Sequence, residues 1–230
     1  GELLERFNIQ LAPIPLSELV STMKEVKAEG VEVSDTIRYM NENMCVKVTD
    51  EELETVAALK VAMGNLAKKY GCNAAAIQCW NALQDEIGIM PCAANSLLNE
   101  EGLPVACETD IHGAITSVLV EAAAMDGTRS FFADWTVRHP DNENGELLQH
   151  CGPWPISVAK EKPTIGYPLA FDHPGAVEAE AKQGEMTLCR FDGDNGEYSM
   201  LIGNARGVDG PYTKGTYVWI EVDNLKRLEA

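Results

Sequence analysis

Positive charge is scarce in this chain. Among 230 residues there are 18 Lys and Arg against 36 Asp and Glu, a net charge of −18. Such a surface repels phosphate backbones and offers no basic stripe to follow one, which excludes nucleic acid as a partner. Long apolar runs are also lacking: none reaches the ~20 residues that cross a bilayer, and no basic-then-apolar leader opens the chain, so no membrane partner is expected. Cysteines at C-x-x-C spacing are absent. The seven that exist (Cys45, Cys72, Cys79, Cys92, Cys107, Cys151 and Cys189) are odd in number, which excludes a disulfide framework and a thiolate zinc site. Most stand among apolar neighbours, as the reduced core thiols of a cytoplasmic protein do. No internal repeat or low-complexity tract is visible.

What is present reads as a piece of a longer protein. "GELLERFNIQLAPIPLSEL" opens on a helix-like fragment without an initiator Met, and "YVWIEVDNLKRLEA" stops as a helix begins after Asp223. Both ends are expected to be cut boundaries.

The first half alternates. Asn8 to Ile14 reads as a strand and Leu16 to Ala28 as a helix, followed by a polar, Met-rich stretch, Val31 to Val48, of no legible form. Thr49-Asp50-Glu51-Glu52 is a capping box, with Thr49 as N-cap and Glu52 reaching back. The helix behind it carries Leu53, Val56, Met63, Leu66 and Tyr70 on one stripe and ends at Gly71. Asn73 to Cys79 and Leu103 to Thr109 read as short strands. Trp80 to Glu86 reads as helix or turn, and Ala93 to Asn99 and Ile111 to Met125 as helices. Alternation of this kind predicts a mainly parallel α/β sheet.

After Asp126-Gly127 the pattern changes. Apolar runs Phe131 to Val137, Glu146 to Cys151, Met186 to Phe191, Tyr198 to Gly203 and Tyr217 to Val222 are separated by "HPDNENGE", "DGDNGE" and "VDGPYTKG". Asn and Gly in those turns accept positive φ, so an antiparallel β region, a barrel or sandwich, is predicted. The fold class expected is α/β followed by a mainly antiparallel β region, α+β overall. Three parts follow: 1–48 as the remnant of a preceding α/β domain, 49–127 as an α/β core bearing an acidic site, and 128–230 as a barrel-like antiparallel domain.

Ligands of α/β sheets bind beyond the carboxyl ends of strands. Asp110 stands there, one residue past Leu103 to Thr109. Its simplest role is to cap the next helix. Glu108 complicates that role, because alternation in an extended segment puts Glu108 and Asp110 on one face. A second acid pair, Asp85 and Glu86, follows the upstream strand and turn. Hard oxygen donors from neighbouring strand ends suit Mg²⁺ or Mn²⁺, and a histidine in the set favours Mn²⁺.

The stretch "QDEIGIMPCAANSLLNEEGLPVACETDIHGA" resembles the carboxy-terminal part of the L-fucose isomerase and L-arabinose isomerase superfamily. In that family a Glu and an Asp after successive strands hold a divalent metal. Glu86 and Asp110, 24 positions apart, match these two acids and the family's spacing. Glu108 matches the acid that is the ligand in arabinose isomerases. "SFFADWTVRHPDNENGELLQHCGPWPIS" continues the likeness and sets His150 on a further metal-ligand position. His112, His139 and His173 match no such position. The likeness runs from about Asn8 to Glu229, with its specific motifs confined to Gln84 to Pro155.

The family's preceding domains have no counterpart in these residues beyond the remnant at 1–48, and its final His-bearing segment would follow Ala230. The resemblance therefore implies a Mn²⁺- or Mg²⁺-dependent aldose–ketose isomerase of a monosaccharide, here as a fragment inactive by itself, cytoplasmic and homo-oligomeric when whole. Glu86 and Asp110 would serve as metal ligand and proton shuttle through a cis-enediol. Gln78, Trp80, Trp135 and Trp154 are candidates to line the sugar pocket, against the commoner role of Trp in a core. The alternative is a catalytically inactive sugar- or metal-binding relative.

Overall fold

The computed structural model describes residues 1–168 and 172–228. Helices α1 (Glu2–Phe7), α2 (Leu16–Glu29) and α3 (Val31–Asn43) lead into β1 (Cys45–Val46) and the long α4 (Asp50–Tyr70). The capping box forms as read: Thr49 accepts from the Glu52 amide and Glu52 from the Thr49 amide at 2.8 Å, and Gly71 closes the helix in left-handed conformation. Then come β2 (Ala75–Ala76), α5 (Ala82–Ile87), α6 (Cys92–Glu100), β3 (Val105–Ala106) and α7 (Ile111–Ala124).

One expectation for this half is corrected, and one stretch left open takes a form. Asn8 to Ile14 is not a strand; Pro13 takes an amide donor out of any ladder the segment could join, and Pro15 follows directly after the segment. The stretch without legible form is a helix, α3, which buries Val33 and Met40 and packs Ile37 beside them. The parallel sheet of this half is only β2 against β3, two residues each.

The second half holds β4 (Asp134–Arg138), β5 (Gly145–His150), β6 (Thr164–Gly166), β7 (Ala176–Glu180), β8 (Glu185–Asp194), β9 (Glu197–Val208), β10 (Thr216–Val222) and the short α8 (Leu225–Leu228). They form one sheet in the order β1-β6-β7-β10-β5-β4, with the β8–β9 hairpin joined through β9 to β10. Most pairs are antiparallel; β1 with β6 and β10 with β7 are parallel. The order has two ends, so the β region is an open sheet, not the barrel envisaged. Strand β10 is where it forks. Its start pairs β7 and its end pairs β9, while β5 runs along its other side from Thr216–His150 to Glu221–Gly145.

One core cluster joins Met23, Val26 and Met40 to Leu59, Leu98 and Val105, and reaches Ile165 and Val177 of the sheet. Fully burying a side chain such as Leu59 stabilises by about 1.5–3 kcal/mol. A second cluster holds Leu148, Trp154, Val218, Ile220 and Leu225 beneath β5 and β10. A cavity opens beside the ends of β2, β3 and β5.

Candidate functional site

The cavity has a volume of about 490 Å³. Trp80 and Glu108 enter it from the loops after β2 and β3, Asp134 from the start of β4, and Gln149 and His150 from the end of β5, with Cys151 beside them. Lys47, Glu178 and Lys214 line another part of its wall.

Local backbone geometry aims Glu108. The extended run stops at Ala106, and Glu108 and Thr109 both take left-handed φ, 60° and 58°. For residues other than Gly that conformation costs on the order of 1–3 kcal/mol each and clusters at functional sites. The Thr109 amide donates to the Ile77 carbonyl at 3.0 Å and the Asp110 amide to Cys107 at 3.0 Å, which hold the turn. Period-two alternation therefore fails here, and the two acids take different partners. Glu108 accepts a hydrogen bond from the Trp80 indole at 3.2 Å. Asp110 caps α7, accepting from the Gly113 amide at 2.8 Å, and its other oxygen pairs with Arg190 of β8.

His150 is 94% buried, and its Nε2 has no hydrogen-bond partner among the described residues. The Asp134 carboxylate stands 3.9 Å from that nitrogen, too far for a hydrogen bond. On the other side of the ring, Nδ1 lies 3.5 Å from the Cys151 sulfur. Burial pushes the His150 imidazolium down, but the hydrogen bond and negative charge of Cys151, with Asp134 and Glu108, outweigh it and leave the pKa raised. Cys151 is lowered to about 5 by the Cys92 thiol and by His150, against burial. Burial, with Glu108 opposite, raises the Asp134 carboxyl, and His150 offsets part of that. Two carboxylates and an imidazole thus act on one another across the cavity.

The residues expected at the site separate. Glu108, His150 and Trp80 line the cavity. Glu86 is exposed on α5 and, like Asp110, is not among the residues lining it. Gln78 is exposed after β2, and Trp135 is exposed on the edge strand β4. Trp154 is 2% exposed, lies against Phe131 and donates its indole hydrogen to the Phe132 carbonyl at 2.6 Å, a core role. His112 sits on α7, 3.1 Å from Asp192. Asp134, Gln149, Cys151 and the two lysines escaped the sequence reading, although Asp134, Gln149 and Cys151 all lie inside the family-like stretch Ser130 to Ser157. As placed, no three His, Cys, Asp or Glu side chains among the described residues form a group able to hold a metal ion. No described helix is long and apolar enough to cross a membrane.

The fold and cavity define an α+β protein with a pocket lined by apolar surface and several charged side chains. No family model matches the chain. Curated proteins named sulfoquinovose isomerase do. That of Priestia aryabhattai is 32% identical over 180 residues, 75% of this chain and 39% of the relative. That of Alkalicoccus urumqiensis is 28% identical over 219 residues, 92% of this chain and 47% of the relative. That of a Clostridium species, strain MSTE9, is 28% identical over 164 residues. The chain spans between about a third and a half of the length of these relatives. Their name carries the sugar-isomerase class that the resemblance to fucose and arabinose isomerases implies.

Proposed function

We propose that the protein interconverts an aldose and a ketose at this cavity, with sulfoquinovose, the sugar in the relatives' name, as its substrate. The observation that carries this reading is the meeting of Glu108, Asp134 and the unsatisfied Nε2 of a buried His150 in one pocket. Its volume lies in the range of small-molecule sites.

Isomerisation requires moving a proton between C2 and C1 while the oxygens beside them exchange negative charge. Glu108 is the proton carrier: a carboxylate facing the cavity takes the C2 proton and returns it to C1 on the same face of a cis-enediol. His150 Nε2, poor in partners until substrate arrives, hydrogen-bonds the substrate's O1 or O2. Asp134 stands within 4 Å of that nitrogen and stabilises the imidazolium charge. The Trp80 face stacks on sugar C–H groups, and its indole holds Glu108 in place. Lys47 and Lys214 supply positive charge for an anionic substituent such as a sulfonate.

A divalent ion, Mn²⁺ or Mg²⁺, would polarise the two substrate oxygens, and Glu108 and His150 are the donors it would find in the cavity. Asp134 stands beside them, but as placed the described residues form no group of three able to hold the ion, and the steps above use the protein's own groups. Glu86 and Asp110 stand outside the cavity's lining, so Glu108, the third acid of the motif, is the better proton carrier. Incubating the native protein with sulfoquinovose and resolving the ketose product tests the activity. Full turnover by both Glu108→Gln and His150→Gln would remove these residues from the reaction.

A further inference from the structure

Two thiols stand unused beside the cavity. The sulfurs of Cys92 and Cys151, 59 positions apart in the chain, lie 3.2 Å from each other. Cys92 is the first residue of α6 and has no exposed surface. Cys151 follows β5 and lines the cavity wall. Nothing in the proposed isomerisation needs either sulfur.

The backbones on either side are clamped. Within α6, Ser96 donates to the Trp154 carbonyl and Asn99 to the Pro153 carbonyl at 2.5 Å, pinning the strap that follows Cys151. The amides of Met90 and Ala93 donate to Pro174 and Gly175 at 2.6 and 2.8 Å, pinning α6 to the loop before β7. A disulfide bond is about 2.05 Å long, so the two sulfurs need close by only about 1 Å, a movement that small side-chain rotations supply. Access is unequal: a small molecule in the cavity meets Cys151, while Cys92 is reached only through Cys151.

We propose that Cys92 and Cys151 are an oxidative modification site, a dithiol that a hydroperoxide entering the cavity converts to a disulfide. In the first step the Cys151 sulfur attacks the peroxide, the O–O bond breaks, and sulfenic acid and one water form from hydrogen peroxide. In the second the Cys92 sulfur attacks the Cys151 sulfur, the S–S bond forms, and the S–O bond breaks. The leaving hydroxide takes the Cys92 proton as a second water. Two thiols lose two electrons in all, and one peroxide gains them. The product covalently joins α6 to the sheet strap and removes the thiol beside His150 from the cavity wall. This site stands whether or not the cavity turns over a sugar.

The test treats the native protein with hydrogen peroxide, blocks remaining thiols with an alkylating reagent, and maps peptides without reduction. A Cys92–Cys151 linked peptide that dithiothreitol releases is expected, with Cys45 and Cys72 still alkylated. In Cys92→Ser the same treatment is expected to leave Cys151 as sulfenic or sulfinic acid with no link. A link between Cys79 and Cys107, the other neighbouring thiol pair, in place of this one would overturn the proposal. So would an unchanged yield of alkylated Cys151, or Cys151 sulfinic acid in the native protein without a link. Mapping the native protein keeps the test decisive even where the Cys92 variant does not fold.

Discussion

Asp110 and Arg190 form an ion pair that ties the start of α7 to strand β8, 80 positions away in the chain. The other oxygen of the same carboxylate caps the helix at Gly113. Both oxygens of Asp110 are therefore engaged by the protein itself.

Asp110 should then matter for stability. Asp110→Ala removes a cap worth about 1 kcal/mol and a part-buried pair worth up to about 1 kcal/mol. Arg190 keeps Asp192 at 3.3 Å as a partner. A loss of about 1–2 kcal/mol in urea unfolding is expected. No loss at all would show that the cap contributes nothing.

The catalytic weight should fall on Glu108. Loss of a general base costs about 10²- to 10⁴-fold in rate, and Glu108→Gln keeps the Trp80 hydrogen bond through the amide oxygen. We expect kcat to fall by that factor with little change in stability. Glu86→Gln, at an exposed position, should leave kcat within a few-fold and stability within about 0.5 kcal/mol. The opposite ranking in steady-state kinetics would return the proton shuttle to Glu86.

His150→Gln should separate binding from folding. The ring lacks a partner at Nε2, so folding loses little there. Calorimetric titration with sulfoquinovose is expected to show affinity weakened by roughly tenfold, the worth of a typical hydrogen bond.

Gly152 is a backbone position with no room to change. Its φ is +125°, and a Cβ there would stand 2.6 Å from the Val177 amide nitrogen. Strain and overpacking act together in Gly152→Ala, and a destabilisation above about 2 kcal/mol is expected from thermal or urea unfolding. Gly71→Ala, open on all sides but also at positive φ, should cost about 1 kcal/mol.

Local chemistry explains what could be read from the residues. Thr49 and Glu52 announce α4 because a capping box is satisfied within four residues, and Gly71 ends it for the same local reason. The turn "DGDNGE" announces a hairpin because Asn195 and Gly196 take the positive φ that Asn and Gly accept, whereas "HPDNENGE" makes its hairpin with no residue at positive φ. Helix α3 could have been read too: Val33, Ile37, Met40 and Met44 recur at helical spacing, but the polar residues between them hid the stripe. The strand expected at Asn8 to Ile14 failed because apolar content outweighed Pro13 within the segment and Pro15 just after it.

The candidate site was half legible. Motif likeness set His150 on a ligand position and kept Glu108 in reserve, and Trp80 entered as an aromatic able to stack on a sugar. Alternation could not separate Glu108 from Asp110, since it assumes an extended chain and Glu108 and Thr109 are left-handed. Asp134 and Cys92 carry no local signal of function.

The sequence by itself determined the composition of the layers, the caps and turns, and a short list of acids and histidines, because those depend on neighbours within a few residues. Tertiary structure alone decided which of them meet. Pairing of Asp134 with Gln149 across β4 and β5 brings one carboxylate beside His150, and packing of α6 on the strap after β5 brings Cys92 against Cys151. Sheet register and helix packing set these distances, and both arise from long-range burial that no local pattern encodes.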